Sequence, residues 1–478
     1  MLRTLVKDSA IYAVGTIASR LVGFIMIPVY TRVLTPADYG VIEAVGRITE
    51  VLGILLALGL AESLLRHYYM AKSEDERRRL ISTTFTLNLT VVIVGSLLVL
   101  PVSPLLARLV FGHERYLHYV NLAVIGLLVG TLIELPLTLW RAEGKAWLYT
   151  SISLVKLAGQ LATNIMLVVW LRWGVYGVFL SGLVNAVAWS AILGFAVRRR
   201  YGLALDSQWL KPVLTYALPI IPMWLAQFTL HASDRFFLTR FVSEAELGLY
   251  ALAYRFGFLV STFSGIVELA WRPLSFSMAD TEDADRHLRR GTTFILLMAA
   301  WLTVATATLS PPVIRLLSAP PFWEAADYVP WIAVAYWFFV AQNPLSTGAR
   351  LARRTDLLAG ANVATAVMCL ALSFVLIPRY GAWGAVMVTV ISMAVLAILS
   401  VVVSQHCRHI EYDGTSIALC FLLLGLSLLP SYVRVSNSVV DAFFRGSYVA
   451  VVGAGITVWI YRRVAKHAGG ICVFRRPT

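Results

Sequence analysis

Residues 9–48 read SAIYAVGTIASRLVGFIMIPVYTRVLTPADYGVIEAVGRI: a membrane-length apolar run, a short turn at Thr35-Pro36 and the opening of a second apolar run. Two arginines, Arg20 and Arg47, stand inside these runs. A charge so placed costs roughly 2.5–3.5 kcal/mol even on the lenient insertion scale. The stretch also has an echo. Thr31-Arg32-Val33-Leu34, Gly40 and Arg47 return as Thr239-Arg240-Phe241-Val242, Gly248 and Arg255, at a constant offset of 208 residues. A repeated hairpin that carries an intramembrane arginine predicts two lobes facing one cavity.

The whole chain supports a membrane setting. Of its 478 residues 59% are hydrophobic and only 14% charged, with a mean hydropathy of +0.76. Soluble domains carry about 25% charged residues, so the fold class expected is an all-α, polytopic membrane protein. The net charge of +14 does not point to nucleic acid, because the basic residues cluster in short loops between apolar runs. That is the positive-inside pattern, with some attraction to anionic membrane lipids. Four cysteines, Cys369, Cys407, Cys420 and Cys472, imply no disulfide framework. Arg3 and Lys7 precede an apolar run that continues past Arg20 to Tyr30 without a small-residue cleavage site, so an uncleaved first span is expected.

Runs of about 20 apolar residues, each able to cross a core about 30 Å thick, number fourteen. Six lie in an N-terminal lobe, 1–200, and six in a C-terminal lobe, 201–411; two more occupy 412–478 with a tail. The second span is expected at 41–65, the seventh at 212–242 and the last at 446–464. Loops from odd to even spans hold ten of the 40 basic residues, Arg235, Arg315, Arg379 and Arg445 among them. The other loops and the ends hold 26, including Arg77-Arg78-Arg79 and Arg198-Arg199-Arg200; four lie within spans. Both termini are therefore expected in the cytoplasm. A second echo joins spans five and six of each lobe: Arg172-Trp173-Gly174-Val175-Tyr176-Gly177 matches Arg379-Tyr380-Gly381-Ala382-Trp383-Gly384 at offset 207. Six spans separate the copies, so they share orientation, giving a parallel repeat about an axis along the membrane normal.

The candidate binding residues are the four intramembrane cations, Arg20, Arg47, Lys156 and Arg255. Arg20 lies about 16 Å along its helix from Ser9, too deep for easy snorkelling, and Lys156 lies at similar depth. Structural pairing is the competing reading for Arg47, since Glu43 and Glu50 share its helical face at i−4 and i+3. Glu43, Glu50, Asp234 and Glu268 are candidates for ion coupling or for pairing. Asp234 adjoins Arg235, and Glu62 and Glu134 read as snorkelling groups near span ends. No Walker A, HExxH or GxSxG pattern occurs, which argues against an enzyme. His406-Cys407-x-His409 fits no common zinc spacing, so no metal site is expected.

The opening pattern, Ser9, Tyr12, Gly15, Arg20, Gly23, Pro28, Tyr30–Leu34, Thr35-Pro36 and Asp38-Tyr39-Gly40, resembles the polysaccharide-flippase (Wzx-like) members of the multidrug/oligosaccharidyl-lipid/polysaccharide (MOP) superfamily. The resemblance spans nearly the whole chain. It implies two six-helix bundles plus two extra helices, and export of undecaprenyl-diphosphate-linked sugar units across the bacterial inner membrane by alternating access. Basic groups on helices one, two and eight line the cavity of the related lipid II flippases, and Arg20, Arg47 and Arg255 sit at corresponding places. The offset pairs Arg20 with Phe228, so the second lobe departs from the first. The resemblance further implies a monomer that works beside a polysaccharide polymerase and glycosyltransferases, with no cofactor; sodium or proton coupling stays open. A multidrug or cation antiporter of the same superfamily is the alternative, kept in view by Glu43, Glu50 and Glu62. A membrane-bound sugar polymerase would need a larger outer loop than Val102–Tyr116 or Ser318–Asp327.

Overall fold

A computed structural model describes residues 23–278, 283–432 and 438–461. Among the described residues every regular element is a helix. Among the described residues nine helical stretches are long and apolar enough to cross a membrane, with two shorter apolar helices besides. The chain is thus an all-helical, multi-pass membrane protein. Its contacts divide it into two compact units, residues 1–248 and 249–478.

The first unit holds α1 (Gly23–Val33), α2 (Pro36–Leu56), α3 (Leu60–Met70), α4 (Glu74–Phe111) and α5 (Leu117–Ala142). It continues with α6 (Ala146–Ile165), α7 (Gly174–Tyr201), α8 (Ser207–Ala217), α9 (Ile220–Ala232), α10 (Asp234–Phe241) and the start of α11 (Glu244–Gly257). Apolar packing alone gains little between helices that already sit in lipid, so interhelical hydrogen bonds and close backbone approaches matter. Asn88 Nδ2 donates to the Thr131 carbonyl (3.1 Å), Ser190 Oγ to the Val129 carbonyl (2.6 Å) and Asn185 Nδ2 to Thr163 Oγ1 (2.6 Å). These bonds tie α4 to α5, α5 to α7 and α6 to α7. Outside the spans, Glu143 fastens the α5–α6 turn to α7, accepting from Tyr201 Oη at 2.7 Å with Lys145 beside it. Burial works to raise the Glu143 carboxyl, but the hydrogen bonds from Lys145 and Tyr201 and the nearby Arg200 charge outweigh it and hold the group below its ordinary value.

The Thr35-Pro36 turn is a capping box. Thr35 Oγ1 accepts from the Asp38 amide (3.1 Å), and Asp38 Oδ2 accepts from the Thr35 amide (2.9 Å). Pro36 takes the first helical position, where no amide donor is missed. The echo repeats the cap: Ser243 Oγ accepts from the Glu246 amide (3.2 Å) at the head of α11. The two copies also touch. A Cβ on Gly40 would lie 1.9 Å from the Glu244 carbonyl oxygen, and one on Gly248 would lie 2.0 Å from the Pro36 carbonyl oxygen. Only glycine allows backbones to pass so closely.

The second span differs from its expected form. In place of one helix over 41–65, α2 stops at Leu56, and Leu58 (φ 49°) and Gly59 (φ 64°) turn the chain through left-handed conformations into α3. The physical reason is on the neighbouring helix: a Cβ on Gly59 would meet the Ala217 carbonyl at 2.8 Å. The break seats α3 against α8, where Ser63 Oγ donates to the Val213 carbonyl at 3.0 Å.

The second unit holds the rest of α11, then α12 (Leu259–Met278), α13 (Ala284–Leu317), a 3-10 helix (Pro320–Asp327) and α14 (Val329–Leu345). α15 (Thr347–Leu351), α16 (Thr355–Cys407), α17 (Gly414–Tyr432) and α18 (Ser438–Ile460) complete it. α14 is nearly all buried, packed by α13, α16 and α12. The 53 residues of α16 are two helices divided by a kink at Gly381 (φ 56°, ψ −133°). Gly174, its counterpart in the first unit, also has positive φ (54°). The second glycines match as well: a Cβ on Gly177 would press on the Leu167 backbone (3.1 Å), and one on Gly384 on the Leu376 carbonyl (2.3 Å). The basic-aromatic-Gly-x-aromatic-Gly motif is one device used twice, a left-handed reversal followed by a close helix crossing.

Two arginines expected in outer loops lie instead buried within helical bundles. Arg235 is in α10 and Arg445 in α18, 3% and 4% exposed. Each is drawn in by buried carboxylates that satisfy its charge.

Candidate functional site

The candidate site begins on α2, where a helical turn places Glu43, Arg47 and Glu50 on one face. Arg47 Nη2 lies 2.9 Å from Glu43 Oε1, and Arg47 Nη1 pairs with Glu50. The pairing continues off the helix. Arg235 of α10 donates from Nε to the same Glu43 Oε1 at 3.0 Å, from Nη1 to Asp234 at 2.9 Å and to the His231 carbonyl at 3.0 Å. Glu43 is therefore shared between two arginines, one on its own helix and one 192 residues away in the sequence. Among the described residues three carboxylates and two guanidiniums are joined in this network, so opposite charges face one another throughout it. Asp234 and Arg235 are almost wholly buried, whereas Arg47 keeps a quarter of its side-chain surface open. A chemical division follows: Arg235 is the inner, fixed cation and Arg47 the outer, addressable one.

Lys156 belongs to a second grouping. It sits partly buried on α6, and Glu134 of α5 is the carboxylate whose charge it feels. Glu134 in turn lies within electrostatic reach of Glu62 on α3 and Arg141 on its own helix. One Glu62 oxygen is buried without a hydrogen-bond partner among the described residues. Glu62 and Glu134, read from sequence as snorkelling groups, thus share a neighbourhood with Lys156.

In the second unit Arg255 lies partly buried on α11, and Glu268 pairs with Arg272 one turn along α12. Arg20 lies outside the described residues. Arg235 is the site residue that sequence reading missed. Its one signal was the adjoining Asp234, because a charged pair between apolar runs looks the same at a span end as inside a bundle. Among the described residues no group of three or more His, Cys, Asp or Glu side chains gathers where a metal ion could be held.

The helices and these intramembrane charges describe a multi-pass membrane protein. The chain matches the family described as Polysaccharide biosynthesis protein over residues 29–327, more than half its length, and it belongs to that family. The Lsg locus protein 1 of Haemophilus influenzae is 24% identical over 266 residues, which are 53% of this chain and 62% of that protein, under two thirds of its length. Among solved structures, the lipid II flippase MurJ in an inward closed conformation superimposes with a TM-score of 0.75 at 13% identity, covering 95% of this chain and 99% of that one. An inward-facing multidrug resistance MATE family transporter of the MOP superfamily gives 0.63 at 14% identity, covering 84% and 95%. The fold is that of the MOP transporters.

Proposed function

We propose that this protein is a flippase that carries a lipid-linked oligosaccharide diphosphate from the cytoplasmic to the outer leaflet of the bacterial inner membrane, for assembly of a surface polysaccharide. The observation that carries the reading is the family match over 29–327, in a chain that keeps cations inside its membrane spans. The architecture proposed is fourteen spans, arranged as two six-helix lobes (1–200 and 201–411) with two additional helices in 412–478, both termini cytoplasmic. Cysteines placed at Arg78 and Arg379 should then react with an impermeant reagent from opposite sides; labelling from one side overturns this topology.

Arg20, Arg47, Lys156 and Arg255 form the basic lining that meets the diphosphate during alternating access. In this reading Arg47 works by exchange of partners. A diphosphate arriving at its open face competes with Glu43 and Glu50. Glu43, once released, remains held by Arg235, and Glu50 stands at the exposed end of the network. The carboxylates Glu43, Glu50, Asp234 and Glu268 serve pairing in this reading, and sodium or proton coupling is an addition to it. The protein acts as a monomer beside the glycosyltransferases and polymerase of its pathway, without a cofactor.

The experiment is flipping of a fluorescent polyisoprenyl-diphosphate sugar by purified protein in liposomes. Lys156→Ala and Arg47→Ala should each lower the rate at least about tenfold, the worth of one charge-assisted contact, at unchanged abundance and melting temperature. Loss of protein in proportion to activity would make these residues structural. Export of cationic drugs with no flipping would instead favour the antiporter reading.

A further inference from the structure

The end of α13 contains two adjacent prolines, Pro311 and Pro312. Pro312 has no amide to give the Thr308 carbonyl one turn back, and Arg445 of α18 fills the gap, donating from Nη1 at 3.2 Å. The same guanidinium donates from Nε to Asp441 at 2.7 Å. Arg445 is thus absorbed into the joint between α13 and α18.

A second arginine stands at this joint with different partners. Arg315 lies 3.8 Å from the other Asp441 oxygen, beyond hydrogen-bond distance, and its guanidinium is over the Trp323 ring at 5.9 Å. It makes no hydrogen bond among the described residues and is 41% exposed. Trp323 commits its own N–H to the Ser318 carbonyl at 3.2 Å. Arg315, Trp323 and Asp441 edge a crevice of about 640 Å³ whose walls are Leu309, Pro312, Val313 and Leu316. That volume lies within the range of small-molecule sites. With Asp441 shared by two arginines, the site carries one net positive charge.

We propose that this crevice between α13, the 3-10 helix and α18 binds an anionic phospholipid, its phosphodiester on Arg315 and one acyl chain along the Leu309–Leu316 wall. One exposed guanidinium matches the single negative charge of a phosphodiester better than the several charges of a diphosphate. The apolar walls call for a chain and not a free ion. An indole beside an arginine at a helix end is the side-chain pair that suits the lipid–water boundary. The site is separate from the charges assigned to transport and does not depend on that assignment.

The test uses the full-length protein in detergent, titrated with phosphatidylglycerol, phosphatidylcholine, inorganic phosphate and undecaprenyl phosphate, with retained lipid read by native mass spectrometry. Phosphatidylglycerol should be retained over phosphatidylcholine, and Arg315→Gln should weaken it about tenfold. Val313→Trp, which fills the crevice and leaves the charge in place, should weaken it as much. Equal retention of the two phospholipids, or no change in either variant, overturns the proposal. Displacement by inorganic phosphate at equal concentration would make this an ion site. Displacement by substoichiometric undecaprenyl phosphate would make it a subsite for the carrier lipid. If Arg315→Gln does not fold, Val313→Trp alone decides.

Discussion

Gly40→Val is expected to disrupt the protein, and Gly40→Ala to destabilise it by about 3 kcal/mol, the upper end for an overpacked site. The added Cβ would fall 1.9 Å from the Glu244 carbonyl oxygen, and ordinary contact begins at 3.4 Å. The obstacle is backbone, so no rotamer change relieves it. The heads of α2 and α11 would have to part, straining the Ser243 and Thr35 caps beside them. Gly46 is the control. It lies on the same helix with open space around it, and Gly46→Ala should be neutral or stabilising by a fraction of a kcal/mol, as for any helical glycine without a steric task. Thermal melts of the two alanine variants check this, and equal melting temperatures would refute so tight a crossing.

Arg235→Leu is the second substitution expected to have a large effect. It removes the guanidinium that pairs with Glu43 and Asp234, both buried, and leaves Arg47 paired with Glu43 and Glu50. Breaking a buried ion pair from one side costs about 3–5 kcal/mol, because the remaining charge stays desolvated. Adding Asp234→Asn should restore part of that loss, since it neutralises a buried carboxylate that Arg235 pairs with. The comparison with Arg47→Ala separates the roles: the inner arginine should govern stability, and the outer one transport. If Arg235→Leu melts like the parent protein, or the second substitution makes matters worse, the network is not paired in the way its geometry implies.

Much of this was legible in the sequence, because hydropathy and repetition survive without coordinates. The helical class followed from apolar run length, and the echoes located both the Thr35 turn and the Gly381 reversal. What stayed hidden was local or long-range. A hydropathy window averages over about twenty residues, so it passes over Leu58 and Gly59, where two left-handed conformations cut one apolar run into α2 and α3. Arg235 was hidden for the opposite reason: its main partner, Glu43, is 192 residues away. The second capping residue, Ser243, was masked because Thr35-Pro36 became Ser243-Glu244, which keeps the hydroxyl and loses the proline signature.

The Gly40 crossing has a further property. Gly40 meets Glu244, Gly248 meets Pro36, and one 208-residue shift carries Gly40 to Gly248 and Pro36 to Glu244. Contacts in which i touches j while the copy of i touches the copy of j are what a two-fold axis produces at a self-complementary patch. The axis runs between the two glycines, inside a single polypeptide. One small residue, specified once in the repeating unit, therefore supplies both halves of the crossing, as a single face does in a symmetric dimer.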